Sequence, residues 1–185
     1  TSNMCPPDKK LKEKYFNMAQ EICMQEKVEH MMQFVSVDAF GKRAEYIRDG
    51  LDFDYMMDNV EEFLDRIPVR NSITFICTYN NLSITSMDKL LSKVLELRQR
   101  YSKTYQRVWF DVPLLRQPAW QQITLLPESY QIIHEDNIKY MQANSGEANG
   151  LHIFKDFEIQ KMQRNLAYWR ENADASTQNK KNFYA

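Results

Sequence analysis

Met31-Met32-Gln33-Phe34-Val35-Ser36-Val37 is a short, nearly continuous apolar run with β-branched members, and Asp38 closes it. Such a run predicts a strand buried on both faces, as parallel sheets require. Upstream, Asp8 follows a proline pair and can cap a helix over residues 8–25, with Leu11, Tyr15, Met18, Ala19 and Ile22 recurring at helical spacing. Downstream the unit repeats. Met56, Val60, Phe63, Leu64 and Ile67 form a second amphipathic helix that stops near Pro68. Ile73-Thr74-Phe75-Ile76-Cys77 is the next strand, and Thr85-Ser86-Met87-Asp88 reads as a capping-box-like start to a third helix. Met87, Leu90, Leu91, Val94 and Leu97 are the buried stripe of that helix, and Arg107-Val108-Trp109-Phe110-Asp111 is the third strand, ended by Pro113.

Strands alternating with helices of this length imply right-handed βαβ crossovers and a parallel sheet, so the fold class is α/β. Beyond Pro118 the pattern becomes mostly helical. A short extended segment is expected at residues 122–126, a helix at 128–142, a polar linker at 144–150, a helix at 154–170 and a polar tail at 172–182. The chain therefore divides into residues 1–118 and a helical extension, 119–185.

Composition narrows the function classes. The 185 residues carry a net charge of -1, which provides no global field for nucleic acid or an anionic membrane. No apolar stretch approaches the ~20 residues of a membrane span. Three cysteines at wide spacing do not suggest a disulfide framework, and a reducing, cytosolic setting is expected. His30, His134 and His152 are scattered without zinc-site spacing, and of the ten methionines Met31, Met32, Met56 and Met57 read as core filler. Trp120 and Tyr168-Trp169-Arg170 are assigned to a core or interface.

In parallel α/β folds ligands collect at the carboxyl ends of the strands. Ser36 and Asp38 are two apart, so both side chains leave one face; a hydroxyl and a carboxylate suit a vicinal diol such as ribose. Equally, Asp38 could cap the next turn and Ser36 fill a tight spot. Asn80 and Asn81 follow the second strand, where a turn role competes with a ligand role. Arg48, within Glu45-Tyr46-Ile47-Arg48-Asp49-Gly50, could point into the strand-end cleft as the partner of a carboxylate, or could pair with Glu45 or Asp49 at the surface.

Taken together, residues 32–39 and 44–53 resemble the middle of radical S-adenosylmethionine (radical SAM) proteins of the kind carrying a twitch extension. Thr1-Ser2-Asn3-Met4 is similar to the end of that family's preceding strand, while residues 78–83 and 109–114 fit its next two strand ends. The likeness spans residues 1 to about 120 in order. It implies the C-terminal part of a partial (β/α)6 barrel, binding S-adenosylmethionine beside a [4Fe–4S] cluster that cleaves it to a 5′-deoxyadenosyl radical for hydrogen abstraction from an unknown substrate. It implies that Ser36 and Asp38 contact ribose or the methionine part, that Arg48 meets the methionine carboxylate, that Asn80 lines the pocket and that Leu114 packs near adenine.

The family's Cys-x3-Cys-x2-Cys cluster loop and its Gly-Gly-Glu-Pro element are absent from this sequence. Cys23 is expected mid-helix and Cys77 within a strand, both as buried thiols, while Cys5 lies in a loop. Both ends read as cut, so the chain is expected to be a fragment of a radical SAM enzyme that does not run the radical reaction by itself. The other reading is a non-redox α/β nucleotide-binding or scaffold domain. Self-association through an exposed sheet edge is also expected.

Overall fold

The computed structural model describes residues 2–146 and 150–173. Three strands, β1 (Met31–Ser36), β2 (Asn71–Ile76) and β3 (Val108–Asp111), form a parallel sheet in the order β1-β2-β3. Before β1 runs α1 (Lys9–Met24), capped by Asp8, whose carboxylate accepts from the Leu11 amide at 2.7 Å. The short helix α2 (Lys42–Ile47) and the longer α3 (Phe53–Arg66) connect β1 to β2, and α4 (Met87–Tyr101) connects β2 to β3. Two further helices, α5 (Gln131–Ala143) and α6 (Asp156–Asn172), follow.

An unreversed strand order joined by right-handed crossovers carries every connecting helix to the same face. The side chains agree. Val35 of β1, Ile73 and Phe75 of β2 and Val108 and Phe110 of β3, with Val37, Cys77 and Val112 just beyond the strand ends, all point to one side and are buried. There α1, α3 and α4 lie side by side. Tyr15 and Phe16 of α1 pack on Phe63 of α3, and Lys93 and Arg100 of α4 pair with Glu61 of α3.

The opposite face is open near β1, where Met32 is 45% and Phe34 36% exposed. Continuous apolarity predicts burial on both sides; the structure buries one, because among the described residues no helix crosses the other side of β1. The stripe of α1 is also rotated from its sequence reading. Phe16, Ala19 and Cys23 are buried, whereas Leu11 and Met18 face out. Other local expectations give way to tertiary pairing. Ser86 makes no side-chain cap; its hydroxyl accepts from the Phe40 amide and donates to the Ser83 carbonyl. Pro113 does not end the pairing, since its carbonyl accepts from the Tyr79 amide and Leu114 bridges Tyr79. Residues 119–125 are two 3-10 turns rather than an extended segment, and the expected polar tail falls mostly outside the described residues.

The two edges of the sheet differ. At β3 polar side chains stand in for a further strand. The Val108 carbonyl accepts from Arg98 Nε at 3.0 Å, the Phe110 amide donates to Glu158 Oε1 at 3.0 Å, and the Val112 carbonyl accepts from Asn165 Nδ2 at 3.0 Å. At β1 one bridge does this work: the Ser2 amide donates to the Phe34 carbonyl and the Ser36 amide to the Ser2 carbonyl. Along that edge the amides of Met32 and Phe34 face outward beside exposed apolar side chains, an arrangement that templates pairing with another chain. Sedimentation velocity over rising concentration is expected to show species larger than a monomer, reversed by Phe34→Lys. A single monomeric boundary at every concentration would count against this.

Among the described residues no helix is long and apolar enough to cross a membrane.

Candidate functional site at the strand ends

After β1 the chain leaves the sheet through Val37 and Asp38, and the buried Ala39 and Ala44 anchor the loop that follows. Gly41 (φ 61°) and Gly50 (φ 76°) flank α2 in left-handed conformations, which lets the chain turn out and return within a few residues. The Phe40 and Phe53 rings, 4.7 Å apart, close the base of this excursion. Glu45 accepts from Lys42 Nζ at 2.8 Å and from the Phe53 amide at 3.2 Å, and the Lys42 contact first, then the amide, keep its carboxyl below the usual range. The α2 segment had no signal in the sequence pattern, because six residues are too few to show a periodicity.

Arg48 terminates α2 and reaches back over β1. Its Nε lies 2.7 Å from Asp38 Oδ2 and its Nη2 donates to Asp38 Oδ1 at 3.1 Å. That same Oδ1 accepts from the Thr78 amide at 2.9 Å. Asp38, 5% exposed, thereby ties the ends of β1 and β2 to Arg48. The sequence left Arg48 either pointing into the strand-end cleft or paired with Glu45 or Asp49; the structure pairs it with Asp38. The Ser36 side chain is half-buried on the open face, and among the described residues its hydroxyl has no protein partner.

Asn80 is engaged locally. Its Nδ2 donates to the Thr78 carbonyl, its Oδ1 accepts from the Leu82 amide, both at 2.9 Å, and its own amide donates to Ser83 Oγ. Such a self-bonded turn is the ordinary use of asparagine after a strand. Asn81 joins the two neighbouring strand-end loops by donating from Nδ2 to the Trp120 carbonyl at 3.1 Å. Trp120 itself is exposed. Leu114 is half-buried beside Tyr79 and packs against the core. The structure thus brings Ser36, Asp38 and Arg48 together on the rim, and it spends the polar groups of Asn80 on the turn.

Two buried residues that sequence reasoning left apart meet under this rim. Tyr79 Oη lies 2.5 Å from His134 Nδ1, and His134 Nε2 is 2.8 Å from the Met162 carbonyl. A carbonyl only accepts, so Nε2 carries the proton and Nδ1 takes the tyrosine hydrogen. Burial pushes the His134 pKa down to about 4 and raises that of Tyr79. Fifty-five positions separate the pair, and no local pattern announces it.

The cysteines do not fit a [4Fe–4S] cluster. Cys23 donates to the Arg70 carbonyl near the start of β2, whereas Cys77 donates to the Asp38 carbonyl beyond its end. Cys5 donates to the Asp52 carbonyl at 3.3 Å. Burial raises all three thiol pKa values, which disfavours the thiolates that ligation needs. Among the described residues no three His, Cys, Asp or Glu side chains converge as a metal site. A mostly apolar cavity of about 400 Å³ lies between residues 2–6 and α1, with Leu11, Tyr15 and Gln33 in its wall. No family model, curated protein or solved structure matches the chain.

Proposed function

We propose that this chain is the C-terminal part of a partial (β/α)6 radical S-adenosylmethionine barrel and forms a wall of its cofactor site, with residues 119–185 as a helical extension. The [4Fe–4S] cluster belongs to the full-length parent enzyme, and no step of the radical reaction is assigned to the residues present here. The observation that carries the proposal is the one-sided layering. All crossover helices lie on one face, the strand order does not reverse, and the face opposite them is open along β1, with Ser36, Asp38 and Arg48 at its carboxyl rim. A wall cut from a singly wound barrel has this form; a complete doubly wound sheet carries helices on both faces, although either of its halves is layered on one side.

Within that wall the free Ser36 hydroxyl suits a ribose hydroxyl, and Arg48 suits a carboxylate. Asn80 and Leu114 shape the floor beside them. Titration calorimetry with S-adenosylhomocysteine, the stable analogue, is the direct test. Weak saturable binding is expected, and Ser36→Val is expected to weaken it several-fold, the scale of one lost hydrogen bond. Binding of ATP or NAD with no response to the analogue would instead favour a non-redox nucleotide domain. Binding of none of these would overturn both.

A further inference from the structure

Resting on the cofactor reading above, we infer that Asp38 is a positioning residue, one that acts on ligand only through Arg48 and makes that arginine the recognition element for a carboxylate. The geometry argues this in three steps. First, Asp38 is 5% exposed and its oxygens are already engaged. Oδ1 takes both the Thr78 amide and Arg48 Nη2, while Oδ2 sits 2.7 Å from Arg48 Nε. A carboxylate in that state is a poor acceptor for two further ribose hydroxyls. The free hydroxyl of Ser36 is the better candidate for that contact.

Second, Asp38 holds Arg48 from one side of the guanidinium, by the Nη2 hydrogen bond and by an ion-pair contact at Nε that lacks hydrogen-bond alignment. The adjoining edge, Nη1 with the second hydrogen of Nη2, has no protein acceptor among the described residues. The Arg48 side chain keeps 32% of its surface exposed. That remaining edge has the spacing of a carboxylate and can bind one through two parallel hydrogen bonds.

Third, the clamp is braced from both strands. Thr78 follows β2 and Asp38 follows β1, while Arg48 closes α2 as its C-cap and donates its own amide to the Ala44 carbonyl. The guanidinium is therefore oriented before any ligand arrives, which removes the ordering cost of a long flexible side chain.

A pair of ligands separates direct contact from positioning. S-adenosylhomocysteine carries the amino-acid carboxylate; 5′-methylthioadenosine keeps the adenosine and lacks it. Asp38→Asn replaces an acceptor oxygen by a donor that faces the arginine, so the guanidinium loses its brace while the volume is conserved. Its affinity for S-adenosylhomocysteine is expected to fall roughly tenfold, the scale of a charge-assisted hydrogen bond, with that for 5′-methylthioadenosine unchanged. Arg48→Gln is expected to show the same selectivity, and the double variant no further loss, because the two residues act as one unit. Arg48→Lys keeps the charge without the fork and is expected to fall between. Thermal melts confirm that each variant is folded before titration. Equal weakening of both ligands by Asp38→Asn would show direct contact and overturn the positioning role alone. Failure of the unaltered chain to bind either ligand would overturn the cofactor reading, and the clamp with it.

Discussion

Glu158→Ala is expected to destabilise the protein by about 3–5 kcal/mol, the scale of removing one partner from a buried ion pair. Arg98 and Glu158 are both fully buried, with Nη2 to Oε1 at 2.6 Å and Nη1 to Oε2 at 3.1 Å. The guanidinium also donates to the Val108 and Ile153 carbonyls, and its plane lies over the Phe154 ring at 5.2 Å. Glu158 in turn accepts from the Phe110 amide at the sheet edge and from the Lys155 amide at 2.9 Å, which starts α6. The alanine variant leaves a buried cation uncompensated and a strand amide orphaned, and it removes the acceptor of the Lys155 amide at the start of α6. Against a total stability of about 5–15 kcal/mol, that is a large share of the folding free energy. The pair need not stabilise the fold by the same amount, since two charges were desolvated to form it. Replacing both with apolar residues of similar volume, Arg98→Met with Glu158→Leu, is expected to be far milder. Urea unfolding followed by tryptophan fluorescence measures both. A loss under about 1 kcal/mol for Glu158→Ala would show that water reaches the site and solvates Arg98.

Acidification should weaken the fold through His134. Its folded pKa of about 4 lies below the ordinary 6.5, chiefly because burial disfavours the imidazolium, outweighing the opposing effects of the Met162 carbonyl and Glu135. The unfolded chain therefore binds a proton that the folded chain does not, and stability falls as pH drops from about 6.5 to about 4. With 1.36 kcal/mol per unit, the contribution lost over that window is about 3 kcal/mol. The structural cost is specific. Protonation at Nδ1 removes the acceptor of the Tyr79 hydroxyl and opens the junction of β2, α5 and α6. Paired carboxylates add their own acid sensitivity, so the decisive measurement is a difference. His134→Gln is expected to be less stable at pH 7 yet to show a shallower decline between pH 6.5 and 4. Parallel declines for the two proteins would mean that the histidine is hydrated and titrates normally.

These two constellations illustrate where sequence reading ends. His134 and Glu158 occupy positions on amphipathic helices that carry no distinguishing spacing. Their partners Tyr79 and Arg98 lie 55 and 60 residues away. Ser36 and Asp38 were legible, because a two-residue spacing at a strand end puts both side chains on one face whatever surrounds them. The pairing of Arg48 with Asp38 was not legible, since α2 is too short to announce itself.

The alternation of apolar runs with amphipathic helices is enough to specify α/β architecture and parallel strands, because local periodicity and the handedness of crossovers leave few other arrangements. The element order of β1, β2, β3 and their helices follows from the chain alone. Which face of β1 stays open, how the β3 edge is closed by Arg98, Glu158 and Asn165, and which groups at the rim remain free follow only from packing. Each depends on residues remote in sequence competing for the same buried hydrogen-bonding groups, and no window along the chain contains both competitors.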